Sequence, residues 1–126
     1  PLTDVTLLDR SGRRCRLARR VVRILGLSNV SVEQGDVARE ARAWPVVVFR
    51  ASLPPDRALA VAAPLLEAGG RAVVALSRTS EPASVPPAPP GTEIDLICTG
   101  AGVLDSPAWL LRMQKTEERS KDGANP

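Results

Sequence analysis

The spacing of apolar positions changes period along the chain. Val5-Thr6-Leu7-Leu8 is a short apolar run ending at Asp9, and it predicts a first strand. From Arg13 to Leu25 the period lengthens. Leu17, Val21 and Leu25 recur at i, i+4 and i+8, with Ala18 and Val22 beside them, which predicts a helix with that face inward. Ser11 is a candidate N-cap and Gly26 a candidate stop. Ser28 to Glu33 predicts a second strand with Val30 and Val32 inward. Gln34-Gly35-Asp36 turns into a short helix from Val37 to Ala43. Val46-Val47-Val48-Phe49, ending at Arg50, is a third strand. The loop Ala51 to Pro55 leads into a helix from Asp56 to Glu67, with Leu59, Ala62, Ala63 and Leu66 at helical spacing and Gly69-Gly70 stopping it. Ala72 to Leu76 is a fourth strand. Thr79 to Pro90, rich in Pro, Ser and Ala, predicts a loop or extended linker. Glu93 to Thr99 and Trp109 to Met113 predict an antiparallel hairpin at the sheet edge.

Strand, helix and strand between Val46 and Leu76 make a βαβ unit. Its strands lack in/out alternation because parallel strands are buried on both faces. The expected fold is therefore α/β: a three-layer, mostly parallel sheet closed by the antiparallel hairpin. Residues 1–115 are expected to form one partial domain, and residues 116–126 a disordered polar tail. Position 1 is proline, and a strand begins within a few residues of it, so the sequence reads as a piece of a longer one.

Composition narrows the chemistry. The 126 residues contain no histidine and two cysteines, which excludes zinc-type ligand spacing and a Cys/His nucleophile pair. Cys15 and Cys98 read as small buried hydrophobes. Aromatic residues are 2% of the chain, too few for a platform that stacks bases. No apolar run is long enough to span a membrane, and the cytoplasm is the expected compartment. The net charge of +3 is a mild bias toward polyanions. It is concentrated on the first helix, where Arg13, Arg16, Arg20 and Arg23 share a face and Arg14 and Arg19 lie nearby. Such a face grips RNA phosphates or is merely solvated. Arg16, Arg20 and Arg23 are the candidate RNA contacts.

Ligands of open α/β sheets bind beyond the carboxyl ends of the strands. Asp9, Asp36 and Arg50 stand at such ends. A carboxylate there accepts hydrogen bonds from ribose hydroxyls, because a vicinal diol offers two donors at fixed spacing. Aspartate also simply terminates strands. Together the three residues suggest an adenosine-bearing ligand.

Several segments carry a family likeness. These are Val5-Thr6-Leu7-Leu8-Asp9 with the arginine-rich helix after it, Leu25-Gly26-Leu27-Ser28-Asn29-Val30-Ser31-Val32 with Gly35, Arg50-Ala51, and Pro64-Leu65-Leu66 with Gly69-Gly70-Arg71. In this order they resemble a class I S-adenosylmethionine-dependent methyltransferase. They are most similar to the small-subunit ribosomal RNA methyltransferase G family, also called glucose-inhibited division protein B. The resemblance covers about residues 4 to 78. It implies a Rossmann-like sheet whose first strand and Gly-rich turn are absent from this sequence, leaving a slot between the strands ending at Asp9 and Arg50. It implies S-adenosylmethionine as cofactor, with Asp9 at the ribose, Val37 and Ala38 at the adenine, and Arg50 near the cofactor and target base. Asp36 is added here from its position alone, since the family has Arg-Ala-Glu where Asp36-Val37-Ala38 stands.

The resemblance further implies a parent acting on ribosomal RNA of the small subunit, at a guanine N7. Attack by that free lone pair needs no general base, so the lack of histidine is no obstacle. This chain by itself is expected to bind the cofactor weakly and to transfer no methyl group. The alternative is a non-catalytic module of the same fold that scaffolds or forms a homodimer through its open sheet. A small-molecule or protein substrate also stays open, because the fold does not fix the substrate.

Overall fold

The computed structural model describes residues 3–50, 53–76, 84–100, 102–103 and 107–117. The elements run β1 (Val5–Asp9), α1 (Gly12–Ile24), β2 (Val30–Gln34), a 3-10 turn (Val37–Arg39), β3 (Trp44–Arg50), α2 (Pro55–Leu65), β4 (Leu66–Ala75), β5 (Thr92–Thr99) and β6 (Ala108–Lys115). The chain divides into two compact units, Pro1–Ala41 and Arg42–Pro126.

In the first unit, β1 and β2 pair in parallel from Val5 opposite Val30 to Asp9 opposite Gln34. The predicted caps of α1 are present. Ser11 Oγ accepts the Arg14 N–H at 3.2 Å. At the other end Leu27 N–H donates to Val22 O and Gly26 N–H to Arg23 O, with Gly26 at φ 63°. That pair of bonds needs the left-handed backbone, which glycine adopts without a Cβ clash.

The buried face of α1 differs from the expectation. Cys15 is fully buried, with Ala18 and Val22 half-buried beside it, whereas Leu17 is 62%, Val21 44% and Leu25 64% exposed. Two apolar stripes lie side by side on this helix, and periodicity cannot choose between them. The helix docks by its smaller side chains. This brings Cys15 Sγ within 3.4 Å of Asp9 O and 3.6 Å of Glu33 O, where the thiol donates at the ends of both strands.

The helix expected over Val37 to Ala43 shrinks to the one 3-10 turn, and Glu40 is already extended. So short a segment cannot offset the cost of helix nucleation.

In the second unit a four-stranded sheet has the order β3-β4-β6-β5. β3 and β4 are parallel, β4 and β6 antiparallel, and β5 and β6 form the expected hairpin with β5 outermost. Pro45 falls inside β3, which the sheet tolerates because β3 is an edge strand. The register shifts there, between Trp44 and Val46. The core comprises Phe49, Ala58, Leu59, Ala62, Leu65, Leu66, Ala72, Val74, Leu111 and Met113.

The junction of α2 and β4 also departs from the expectation. The helix stops at Leu65, and Leu66 is already extended at φ −91° and ψ 136°. Gly69-Gly70 therefore lies inside β4 rather than ending the helix. Pro64 in the last turn removes a helical N–H. The Leu66 N–H closes the last turn on Ala63 O, and Lys115 Nζ adds a second donor there at 3.1 Å and one to Leu66 O at 3.0 Å.

The strands form two hydrogen-bonded sheets, and among the described residues no pairing joins β1 or β2 to β3. The α/β class, the parallel pairs and the antiparallel terminal hairpin are as read from the sequence. Within the Pro-rich stretch, residues 84–90 carry no helix or strand; Thr79 to Ala83, most of the polar tail, Ala51 and Ser77 lie outside the described residues. Among those described, no helix is long and apolar enough to cross a membrane.

Candidate functional site

The parallel pairing of β1 and β2 brings two of the candidate acids to one end of the first unit. Asp9 is the last residue of β1, opposite Gln34, and Asp36 follows Gln34 by two residues. The loop after β1 is tied to the end of β2. Gly35 N–H donates to Asp9 O at 3.0 Å, and Gln34 Nε2 donates to Arg10 O at 3.2 Å. A side chain at Gly12 would approach the Gln34 amide at 3.3 Å, so glycine suits this close passage.

The Asp9 carboxylate is held from two sides. Its Oδ1 accepts the Ser11 N–H at 2.8 Å, and Arg14 Nε lies 3.3 Å from Oδ1 and 3.1 Å from Oδ2. The Ser11 N–H, followed by the Arg14 guanidinium, holds the Asp9 carboxyl below its ordinary pKa. The side chain is still 38% exposed. Asp9 is thus a charged, partly exposed acceptor at a strand end.

Asp36 makes the same kind of local bond, to the N–H two residues on. Its Oδ1 accepts the Ala38 N–H at 2.9 Å and caps the 3-10 turn. Ala38 is exposed and Val37 half-buried. The Ala38 N–H is therefore already engaged, and Asp36 performs the local capping role that aspartate often takes after a strand.

Arg50 stands at the corresponding carboxyl end of β3, in the second unit, opposite Ala75 and exposed. On α1 the arginines sort into two groups. Arg14 pairs with Asp9, and Arg19 Nη2 donates to Val32 O at 3.3 Å. Arg13, Arg16, Arg20 and Arg23 are exposed and have no partner among the described residues. The three nominated for RNA, Arg16, Arg20 and Arg23, are among these.

The sequence reading missed the clamp of Ser11 and Arg14 on Asp9. The first half was detectable, since an aspartate commonly bonds the backbone N–H two residues on. The second was not, because a contact from i to i+5 depends on how the strand enters the helix.

No family model matches the sequence. Two curated relatives do, both ribosomal RNA small subunit methyltransferase G. The protein of Frankia alni is 32% identical over 133 residues, and that of Frankia casuarinae is 30% identical over 133 residues. Each match covers 96% of this chain and 50% of the relative, so the chain spans about half the length of these proteins. Among solved structures, the apo form of the S-adenosylmethionine-dependent methyltransferase SibL superposes with a TM-score of 0.67 at 20% identity, over 90% of this chain and 44% of that one. A putative rRNA methylase from Clostridium thermocellum gives 0.64 at 15% identity, over 92% and 74%. A putative methyltransferase of Streptococcus mutans, solved with S-adenosylhomocysteine, gives 0.57 at 12% identity, over 89% and 76%. The chain has the Rossmann-like methyltransferase fold, and its sequence is similar to ribosomal RNA small subunit methyltransferase G along almost all of its own length.

Proposed function

We propose that this chain carries part of the cofactor site of an S-adenosylmethionine-dependent RNA methyltransferase. The observation behind the proposal is the charged, exposed carboxylate of Asp9 at the end of β1, beside the end of a parallel β2. In this reading Asp9 accepts the ribose hydroxyls, while Val37 and Ala38 form the adenine edge with Asp36 fixing their turn. The resemblance adds Arg50 to the set. The cofactor supplies an electrophilic methyl group. The nucleophile of the whole protein is a guanine N7 of small-subunit ribosomal RNA, whose lone pair needs in-line placement rather than deprotonation. Arg16, Arg20 and Arg23 of α1 contact RNA phosphates.

Calorimetric titration of S-adenosylmethionine into the chain tests the cofactor reading. Weak binding that falls about tenfold or more in Asp9→Asn is expected, from loss of charged hydrogen bonds to the diol. Equal affinity in the two proteins would refute the assignment of Asp9.

A second reading, self-association through the open sheet, has one observation in its favour. β3 is an edge strand whose Val46 is 58% and Val48 68% exposed. Exposed apolar edge strands recruit other strands. Sedimentation equilibrium of the chain and of Val48→Lys separates the readings: a dimer lost in the variant supports association, and a monomer throughout removes it.

A further inference from the structure

We propose that Arg14 is a positioning residue for ribose recognition, acting through Asp9. The inference rests on the adenosyl reading of Asp9 and assigns a role to a residue outside the motif-derived set.

A carboxylate has about four acceptor positions, and its end torsion is broad and weakly defined. Left alone, Asp9 would rotate and share its acceptors with water. Two groups prevent this. The Ser11 N–H takes Oδ1 at 2.8 Å. The Arg14 Nε–H straddles the group, 3.3 Å from Oδ1 and 3.1 Å from Oδ2. Oδ1 is then doubly engaged, and Oδ2 keeps an unused acceptor position. One orientation of the carboxylate is selected, with its charge retained and one oxygen available to a diol.

The contribution of this contact to folding is small. The Arg14 side chain is 73% exposed, and ion pairs so open to water add little stability. Arg14 is also the first-turn arginine whose guanidinium turns back to the strand end, whereas Arg13 and Arg16 have no partner among the described residues. Substituting Arg14 therefore alters the acceptor while leaving the fold in place.

The test compares adenosine with 2′,3′-dideoxyadenosine, which lacks the diol, by NMR chemical-shift titration of the full chain. The wild type is expected to prefer adenosine. Arg14→Gln is expected to reduce that preference about tenfold, the range of one charge-assisted hydrogen bond, without weakening dideoxyadenosine. Arg14→Lys, which keeps the charge, is expected to restore part of it. A general structural defect would weaken both ligands equally and would overturn the assignment. So would an unchanged or improved preference in Arg14→Gln, since it would make the guanidinium a bystander or a competitor of the ribose. A wild type without any preference for the diol would refute the adenosyl reading of Asp9 itself. Preference lost in Asp9→Asn but kept in Arg14→Gln would refute the role of Arg14 alone.

Discussion

Gly70 sits where the backbones of β3 and β4 come together out of register. A Cβ added there would lie 2.8 Å from Glu67 O, 3.1 Å from Pro45 O and 3.2 Å from Trp44 O. These are backbone atoms and cannot swing aside. Gly70→Ala should therefore cost about 1–3 kcal/mol, as overpacking of a tight site does. Urea denaturation measures this, and an unchanged midpoint would mean that the strands separate easily. Lys115 makes a comparable single-residue contribution. In Lys115→Met the Ala63 and Leu66 carbonyls lose the ammonium, Ala63 O keeping the Leu66 N–H, while the apolar stem is kept. A loss of about 1–3 kcal/mol is expected, the range for removing hydrogen bonds from a charged donor. Neither role follows from the neighbours in sequence. The Gly-Gly pair reads as a helix stop, and Lys115 falls beyond the strand predicted over Trp109 to Met113.

At the scale of elements, α1 is the informative case. Its position and both of its ends were legible, because Ser11 and Gly26 act through bonds to residues within a few positions. Its orientation was not. Leu17, Val21 and Leu25 form the stronger stripe by side-chain size, yet Cys15, Ala18 and Val22 face the strands. Small residues let the helix approach the strand ends closely enough for the Cys15 thiol to reach two carbonyls. Substitutions can verify this orientation. Ala18→Leu should destabilise by about 1–3 kcal/mol, since the added atoms fall on the face that carries the buried Cys15. Leu17→Lys should stay within about 0.5 kcal/mol, as exposed positions do. Thermal melts of the two variants give the comparison, and the reverse order would restore the orientation predicted from periodicity. The second helix behaved similarly. Its existence was clear from Leu59 and Ala62. Its end was not, because Leu66 continues the apolar spacing of the helix although its backbone is already extended.

For the molecule as a whole, charge is the property that reaches beyond local contacts. The net charge of +3 is small, but four exposed arginines stand on one face of one helix. If Arg16, Arg20 and Arg23 meet phosphates, replacing all three by glutamine should lower the slope of log affinity for RNA against log salt by roughly 2 to 3. A slope that does not change would place the RNA elsewhere or nowhere. The same arithmetic explains why the sequence was informative here: charged groups at helical spacing share a face whatever else the helix does. Which arginines are engaged by the protein was not legible, since the Arg19 bond to Val32 O and the Arg14 bond to Asp9 bridge from the helix to the strands.

By itself the sequence determined the kinds of element, most of their order and the α/β class. Those follow from the period of apolar residues and from capping residues that act over a few positions. It also placed Asp9, Asp36 and Arg50 at strand ends, because strand ends are where apolar runs stop. Only the tertiary structure decided which stripe of α1 is buried, that strand pairing forms two sheets, and that Arg14 reaches back from the helix to Asp9. The first two outcomes depend on backbones meeting across tens of residues, where distances of a few tenths of an ångström choose between arrangements that the local pattern leaves equal.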